Sequence, residues 1–254
     1  MKKTTILLII WALLTAINVN KAYHIDDTFH LKAARELREH PLKPMSGLVN
    51  WENSPTAMHQ HNQPPLFFYL IAATGSVFGE SEIVMHLLLS IFTFLVLYFF
   101  SKLMEILKVK HRKLLLIVFG LSPALIINQN LMVDVPLLAM ILGFSYFTLK
   151  AKHSRSYKDY LFAAVFMSLG LLIKYTILPL FIPFILAILI NQDYKKLSVL
   201  LIPIGTLILW SLWNLHEFDA IHILNRSAST IHINKLYAFM GTLGAVSTFI
   251  ITFF

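Results

Sequence analysis

Apolar runs parted by short basic connectors recur along this chain, and nothing else in it restricts the fold so much. Water cannot complete backbone hydrogen bonds inside a bilayer. A run that crosses one must close them internally, as a helix of about 20 residues does. Of the 254 residues 57% are hydrophobic and 13% charged, the latter about half the share usual in a soluble domain. The chain therefore reads as all-α, a polytopic transmembrane helix bundle. Its net charge of +8 has a topological source. The lysines and arginines collect in short connectors, where a cytoplasmic bias puts them. No RNA-binding motif and no basic stripe with interleaved aromatics accompanies them, so no nucleic-acid partner is expected. Cysteine is absent, which excludes disulfides and cysteine–zinc sites.

About eight spans are expected. They run over Thr4–Val19, Ile83–Leu107, Leu114–Ile127, Met132–Leu149, Tyr160–Ile173, Thr176–Ile190, Leu197–Trp213 and Leu236–Phe254. Met1-Lys2-Lys3 and the run after them resemble a signal peptide. Asn18-Val19-Asn20-Lys21 follows in place of a small-x-small cleavage site, so the run reads as an uncleaved first span. Residues 21–82 then form a polar outer loop. Within it Thr28–His40 reads as an amphipathic helix along the membrane surface, capped by Asp27 or Thr28 and stopped by Pro41. Leu66–Phe78 is too short to cross comfortably. If it stays on the outer face, the basic connectors at Lys108–Lys113, Lys150–Lys158 and Asp193–Lys196 all fall inside. It therefore reads as a second outer juxtamembrane helix. The expectation is a multi-pass integral membrane protein of the plasma or inner membrane, its N-terminus cytoplasmic and its active face extracytoplasmic.

That topology sorts the chemistry to one face. Tyr23-His24-Ile25-Asp26-Asp27-Thr28-Phe29-His30 puts two carboxylates and two imidazoles at the outer end of the first span. The same face receives His59, His61, Gln63, Asp134, Lys174, Tyr175, His216, His222 and Arg226. Asp134 and Lys174 are ionisable groups set among apolar neighbours at membrane depth, where charge is costly and marks function by default. Read blandly, Asp134 is a helix cap and Lys174 an interfacial lysine reaching for headgroups. Together with the acidic pair they favour function.

The ordered set resembles the membrane-embedded glycosyltransferases of the GT-C class, nearest to the protein O-mannosyltransferase and lipid A aminoarabinose transferase group. That family has a short first span and then an acidic pair opening a juxtamembrane helix, here Asp26-Asp27. A Pro-Pro-Leu-aromatic stretch precedes the second span, here Pro64-Pro65-Leu66-Phe67, closing with Phe78-Gly79-Glu80-Ser81. A later acid opens a span, here Asp134, and a lysine follows a Gly-Leu run, here Gly170-Leu171 to Lys174. The resemblance covers essentially the whole chain. It implies one membrane-embedded GT-C-like domain over 1–254. Relatives usually have more spans and often a soluble outer C-terminal domain, so the later part of that architecture is expected to be absent. Where many relatives carry a basic residue before the first proline, this chain has Gln63.

The resemblance implies an inverting transfer from a polyprenyl-phosphate sugar to a lipid, glycan or protein acceptor at the outer membrane surface. Asp26 would be the base, and Asp27 would orient it or hold a metal. Lys174 would neutralise the donor phosphate, and Asp134 would position acceptor or sugar. His30, His61, Gln63, Tyr175 and Arg226 complete the expected substrate contacts. No cofactor is assigned. The residues permit a divalent metal on Asp27, His59, His61 and His216, although the His spacing at i and i+4 of a zinc helix is missing. The rival readings are a transporter or flippase-like protein and a non-catalytic membrane scaffold. A transporter would place its ionisable groups near the midplane, in broken helices of paired halves.

Overall fold

The computed structural model describes residues 3–50, 54–61 and 63–225. It is nearly all helix. The elements are α1 (Lys3–Asn18), α2 (Ile25–Glu39), a hairpin of β1 (Leu48–Asn50) and β2 (Pro55–Ala57), α3 (Met58–His61), α4 (Leu66–Phe78), α5 (Glu82–Ile106), α6 (Arg112–Gly120), α7 (Pro123–Ile127), α8 (Asp134–Ser154), α9 (Tyr157–Leu171), α10 (Phe181–Ile190), α11 (Leu201–Phe218) and α12 (His222–Asn225). Short 3-10 stretches, Tyr175–Leu180 and Tyr194–Leu200, lead into α10 and α11.

Among the described residues three helical segments are long and apolar enough to cross a membrane: α5, α8 and the continuous run Tyr194–Phe218. They coincide with the expected second, fourth and seventh spans. Lys3–Asn18, Leu66–Phe78 and Tyr175–Ile190 are apolar but shorter. The expected third span is broken in two. Ser122 accepts a hydrogen bond from the Leu125 amide and starts a new helix with Pro123 in its first turn, because proline has no N–H with which to continue the preceding one. The expected sixth span opens as a 3-10 turn around Pro179 for the same reason. Leu236–Phe254, expected as the eighth span, lies outside the described residues.

The amphipathic helix expected from Thr28 begins three residues earlier, at Ile25. His24 is its N-cap, and the Asp27 carboxylate reaches back to accept from the His24 amide at 2.7 Å. This is the reciprocal pairing of a capping box, with His in the usual Ser/Thr role. Both acids therefore stand within the first helical turn, where the helix dipole favours negative charge.

α2 is seated on α4 and on the α4–α5 turn. Phe29 and His30 pack edge-on or tilted against Phe68, and Ala34 and Leu37 are buried beneath them. Gly79 turns the chain with φ 84, a conformation open to glycine. The next residue, Glu80, then takes both Arg35, at 2.7 Å, and Arg38. The Tyr23 hydroxyl donates to the Glu80 carbonyl at 2.7 Å, and burial helps push its pKa up to about 12, so it remains a donor. Tyr69 of α4 donates to the Pro41 carbonyl just past α2.

α8 packs between α5 and α9. Its contact with α9 is close because Gly143 has no side chain: a Cβ there would lie 2.5 Å from the Phe166 ring. At the far end of the pair Lys150 meets Asp159 at 2.8 Å, and Ser154 donates to the other oxygen of that carboxylate. Gly143→Leu should force these helices apart and cost roughly 1–3 kcal/mol of stability. The Tm of the purified protein in detergent reads this loss, and Gly205→Ala, placed in open space within α11, should not lower it. Equal melting of Gly143→Leu and wild type would mean that the contact is not tight.

Candidate active site

The turn after α9 supplies the first part of the site. Ile173 and Lys174 both donate backbone N–H to the Gly170 carbonyl, at 3.0 and 2.8 Å. Gly170 makes this possible, since a Cβ there would meet Ile177 at 2.3 Å. Lys174 leaves the turn in extended backbone and places Nζ 2.9 Å from Asp134 Oδ1. Asp134 is the first residue of α8, and Val133 before it makes no side-chain cap. The carboxylate thus faces the lysine across the helix junction instead of closing its own helix end. Both side chains keep partial solvent access, 25% and 36% exposed, so the pair is worth little to stability and can exchange partners.

The second part is tied to the first by backbone. Pro64 and Pro65 are buried, and the Leu66 amide at the start of α4 donates to the Leu172 carbonyl at 2.9 Å. An amide in a helix's first turn has no partner within its own helix, and here the lysine turn provides it. This fixes the Pro-Pro-Leu motif, with Gln63 before it, beside Lys174.

The third part is the start of α2. Asp26 and Asp27 adjoin in sequence but differ in surroundings. The Asp26 side chain is 40% exposed, while Asp27 is wholly buried. His30 is also buried, with Nδ1 2.9 Å from the Asp26 carbonyl oxygen and its ring against Phe67 and Phe68. Burial holds its pKa below the ordinary 6.5. The charges of Asp27 and Asp26 on α2, and of Asp134 on α8, pull it the other way.

A fourth part comes from the end of α11. Tyr175 accepts from Trp210 Nε1 and meets His222 Nδ1, each at 2.8 Å. Trp210 and Trp213 stack nearly parallel, and Glu217 pairs with Lys43 from the segment after α2 at 2.5 Å. His222 stands among the residues that the topology gathers at this face, and Trp210 opens the tryptophan-rich end of α11, but the sequence gives neither a partner. Each is one aromatic or imidazole among many, and only the fold shows that both meet Tyr175. A groove with apolar walls, lined by Phe119, Leu125, Val135 and Leu138, opens at Asp134 beside Ser122 and Asn128.

Asp26, Asp27, His30, Gln63, Asp134, Lys174 and Tyr175 are thus carried to one end of the bundle by α2, α4, α8 and the α9 turn. Of the expected metal set, Asp27, His59 and His216 do not come together. His59 stacks on Phe218 with ring centroids 4.6 Å apart, and His216 is exposed on α11. Among the described residues no three His, Asp or Glu side chains gather to hold a metal ion. The His61 side chain and Arg226 lie outside what is described.

His30 gives a pH dependence whose sign follows from its burial. The unfolded chain takes up a proton near pH 6.5 that the folded chain refuses. The stability tied to this group is complete above that pH and falls as acidification proceeds toward the depressed folded value. The Tm should therefore drop below pH 6.5, and less steeply in His30→Phe. Identical pH slopes for the two proteins would assign the acid sensitivity to other groups.

The comparisons with known proteins point the same way as the geometry. The family model described as dolichyl-phosphate-mannose-protein mannosyltransferase matches residues 62–214, a stretch that contains the Pro-Pro-Leu motif, Asp134, Lys174, Tyr175 and Trp210. No curated protein and no solved structure matches the chain. The match spans more than half of the sequence, and the chain belongs to the dolichyl-phosphate-mannose-protein mannosyltransferase family, a family of membrane glycosyltransferases.

Proposed function

We propose that the chain transfers a sugar, with inversion, from a polyprenyl-phosphate donor to an acceptor hydroxyl or amine on the extracytoplasmic face of the membrane. The observation that carries this reading is the convergence of Asp26, Asp134 and Lys174, from three separate elements, at one end of the bundle. Asp26, the more exposed acid, takes the acceptor proton. The acceptor atom attacks the anomeric carbon from the side away from the phosphate, and the bond from that carbon to the phosphate oxygen breaks. Negative charge grows on the departing lipid phosphate and is met by Lys174, a preorganised cation at the point where charge develops. In the free protein Asp134 holds that lysine in place. An arriving phosphate competes for it and leaves the Asp134 carboxylate available to a sugar or acceptor hydroxyl.

The groove at Asp134 suits an isoprenoid tail, since its walls are Phe119, Leu125, Val135 and Leu138. A second groove runs along α2, lined by Ile25, Thr28, Lys32 and Arg35, and would give the acceptor an approach to the start of that helix. A transporter fits less well, because Asp134 and Lys174 stand at helix ends and not at mid-span. The proposed topology has eight spans, with the N-terminus and the basic connectors inside and 21–82 outside. It is favoured by the distribution of charge along α8: Asp134 lies at one end, and the Lys150 and Lys152 side chains at the other.

Asp26→Asn keeps the size of the side chain and removes its basicity. Turnover should fall by about 10²- to 10⁴-fold while polyprenyl phosphate still binds. Lys174→Met should instead weaken binding of that lipid. Wild-type turnover in Asp26→Asn at saturating substrates would refute the assignment of the base. For orientation, single cysteines can be introduced into this cysteine-free chain at Ser54 and at His153. An impermeant thiol reagent applied to intact cells should label the first and spare the second, and the reverse pattern would invert the topology.

A further inference from the structure

Asp27 Oδ1 and His30 Nε2 are both buried side-chain atoms without a hydrogen-bond partner. They belong to residues one turn apart on α2, at the i and i+3 spacing that places side chains on one helix face. Neighbouring atoms decide what each can do. Asp27 Oδ2 is engaged by the His24 amide at 2.7 Å, which leaves Oδ1 as an acceptor. His30 Nδ1 lies 2.9 Å from the Asp26 carbonyl oxygen. A carbonyl only accepts, so Nδ1 carries the ring proton and Nε2 of the neutral ring offers a lone pair. The ring is held in this orientation by contacts with Phe29, Phe67 and Phe68.

The pair thus presents two acceptors and no donor in a place cut off from water, where an unmet polar group is costly. The group that satisfies both atoms must bring two donors, and a sugar diol does. Burial separates this role from that of the base. Asp26, one residue away, is the acid with solvent access, whereas Asp27 and His30 lie beneath it. The charge of Asp134, the residue paired with Lys174, reaches His30. A sugar joined to a phosphate at Lys174 and approached by an acceptor at Asp26 would lie between the two, against this pair. His86 has the same ring arrangement, with Nδ1 2.8 Å from the Glu82 carbonyl and Nε2 unmatched. It stacks on Tyr23 and has no second unmatched acceptor one turn away among the described residues.

We propose that Asp27 Oδ1 and His30 Nε2 form a subsite that holds two hydroxyls of the transferred sugar. The inference rests on the donor reading above and adds the group that recognises the sugar. Two variants test it. His30→Phe keeps an aromatic ring against Phe67 and Phe68 and removes the acceptor. His30→Gln brings an amide oxygen to roughly the same position. Binding of dolichyl phosphate bearing mannose, glucose or no sugar is measured on the full chain in nanodiscs, with Tm recorded for each protein. Wild type should bind at least one sugar-bearing lipid more tightly than the bare lipid. His30→Phe should lose about tenfold of that preference, the size of one hydrogen bond, with the bare lipid unaffected, and His30→Gln should recover part of it. Equal loss for sugar-bearing and bare lipids, or no loss, overturns the subsite in favour of a packing role. Wild type that binds all three lipids alike also overturns it while leaving the lipid-donor reading intact. Wild type that binds none of them removes both.

Discussion

Lys174 and Asp134 face each other at 2.9 Å, and the rest of this end of the bundle is arranged around that contact. The lysine can reach the start of α8 only because the chain turns sharply at Gly170, where Ile177 fills the space a side chain would need. The same turn offers the Leu172 carbonyl to the Leu66 amide and so anchors α4. α4 in turn carries Phe67 and Phe68, against which His30 and the start of α2 are packed. One tight turn therefore sets three separate segments. The energetic weight of the ion pair itself is small, because both groups are partly solvated. Its importance is geometric: it holds the lysine at the start of α8 while leaving both side chains partly solvated.

The two adjacent carboxylates illustrate how a helix start divides labour. Successive residues on a helix point about 100° apart, so only one acid of a consecutive pair can turn inward. Here Asp27 turns in and spends one oxygen on the His24 amide, while Asp26 keeps solvent access. Two identical side chains thereby become a structural and hydrogen-bonding group on the one hand and an accessible carboxylate on the other. Glu80 with Arg35, Arg38 and Tyr23 clamps the helix that carries them.

Much of this was legible in one dimension. Apolar runs bounded by basic residues set out α5, α8 and the helix ending at Phe218, because a bilayer allows few alternatives to a self-contained helix. Pro41, Pro64 and Pro65 marked ends and beginnings correctly, since a missing N–H acts locally. The kinks escaped notice where apolar content was unbroken. Leu114–Ile127 reads as one run, yet Pro123 divides it and Ser122 caps the second piece. The start of α2 was misplaced by three residues because histidine is an unusual N-cap and its role depends on Asp27 reaching back.

By itself the sequence determined that this is a helical, membrane-adapted chain, and that its acids, its Pro-Pro-Leu stretch and its isolated lysine belong to helix ends. Those properties follow from hydrogen bonds and burial within a few residues, which composition and spacing record. Only the tertiary structure decided that Lys174 meets Asp134, that Tyr175 meets Trp210 and His222, that Asp27 is buried while Asp26 is not, and which nitrogen of His30 is left open. Several of these contacts join residues about forty apart in the chain, and the burial of each acid depends on what packs over it. Both are set by how helices lean on one another, and that is a property of packed side chains that no local pattern encodes.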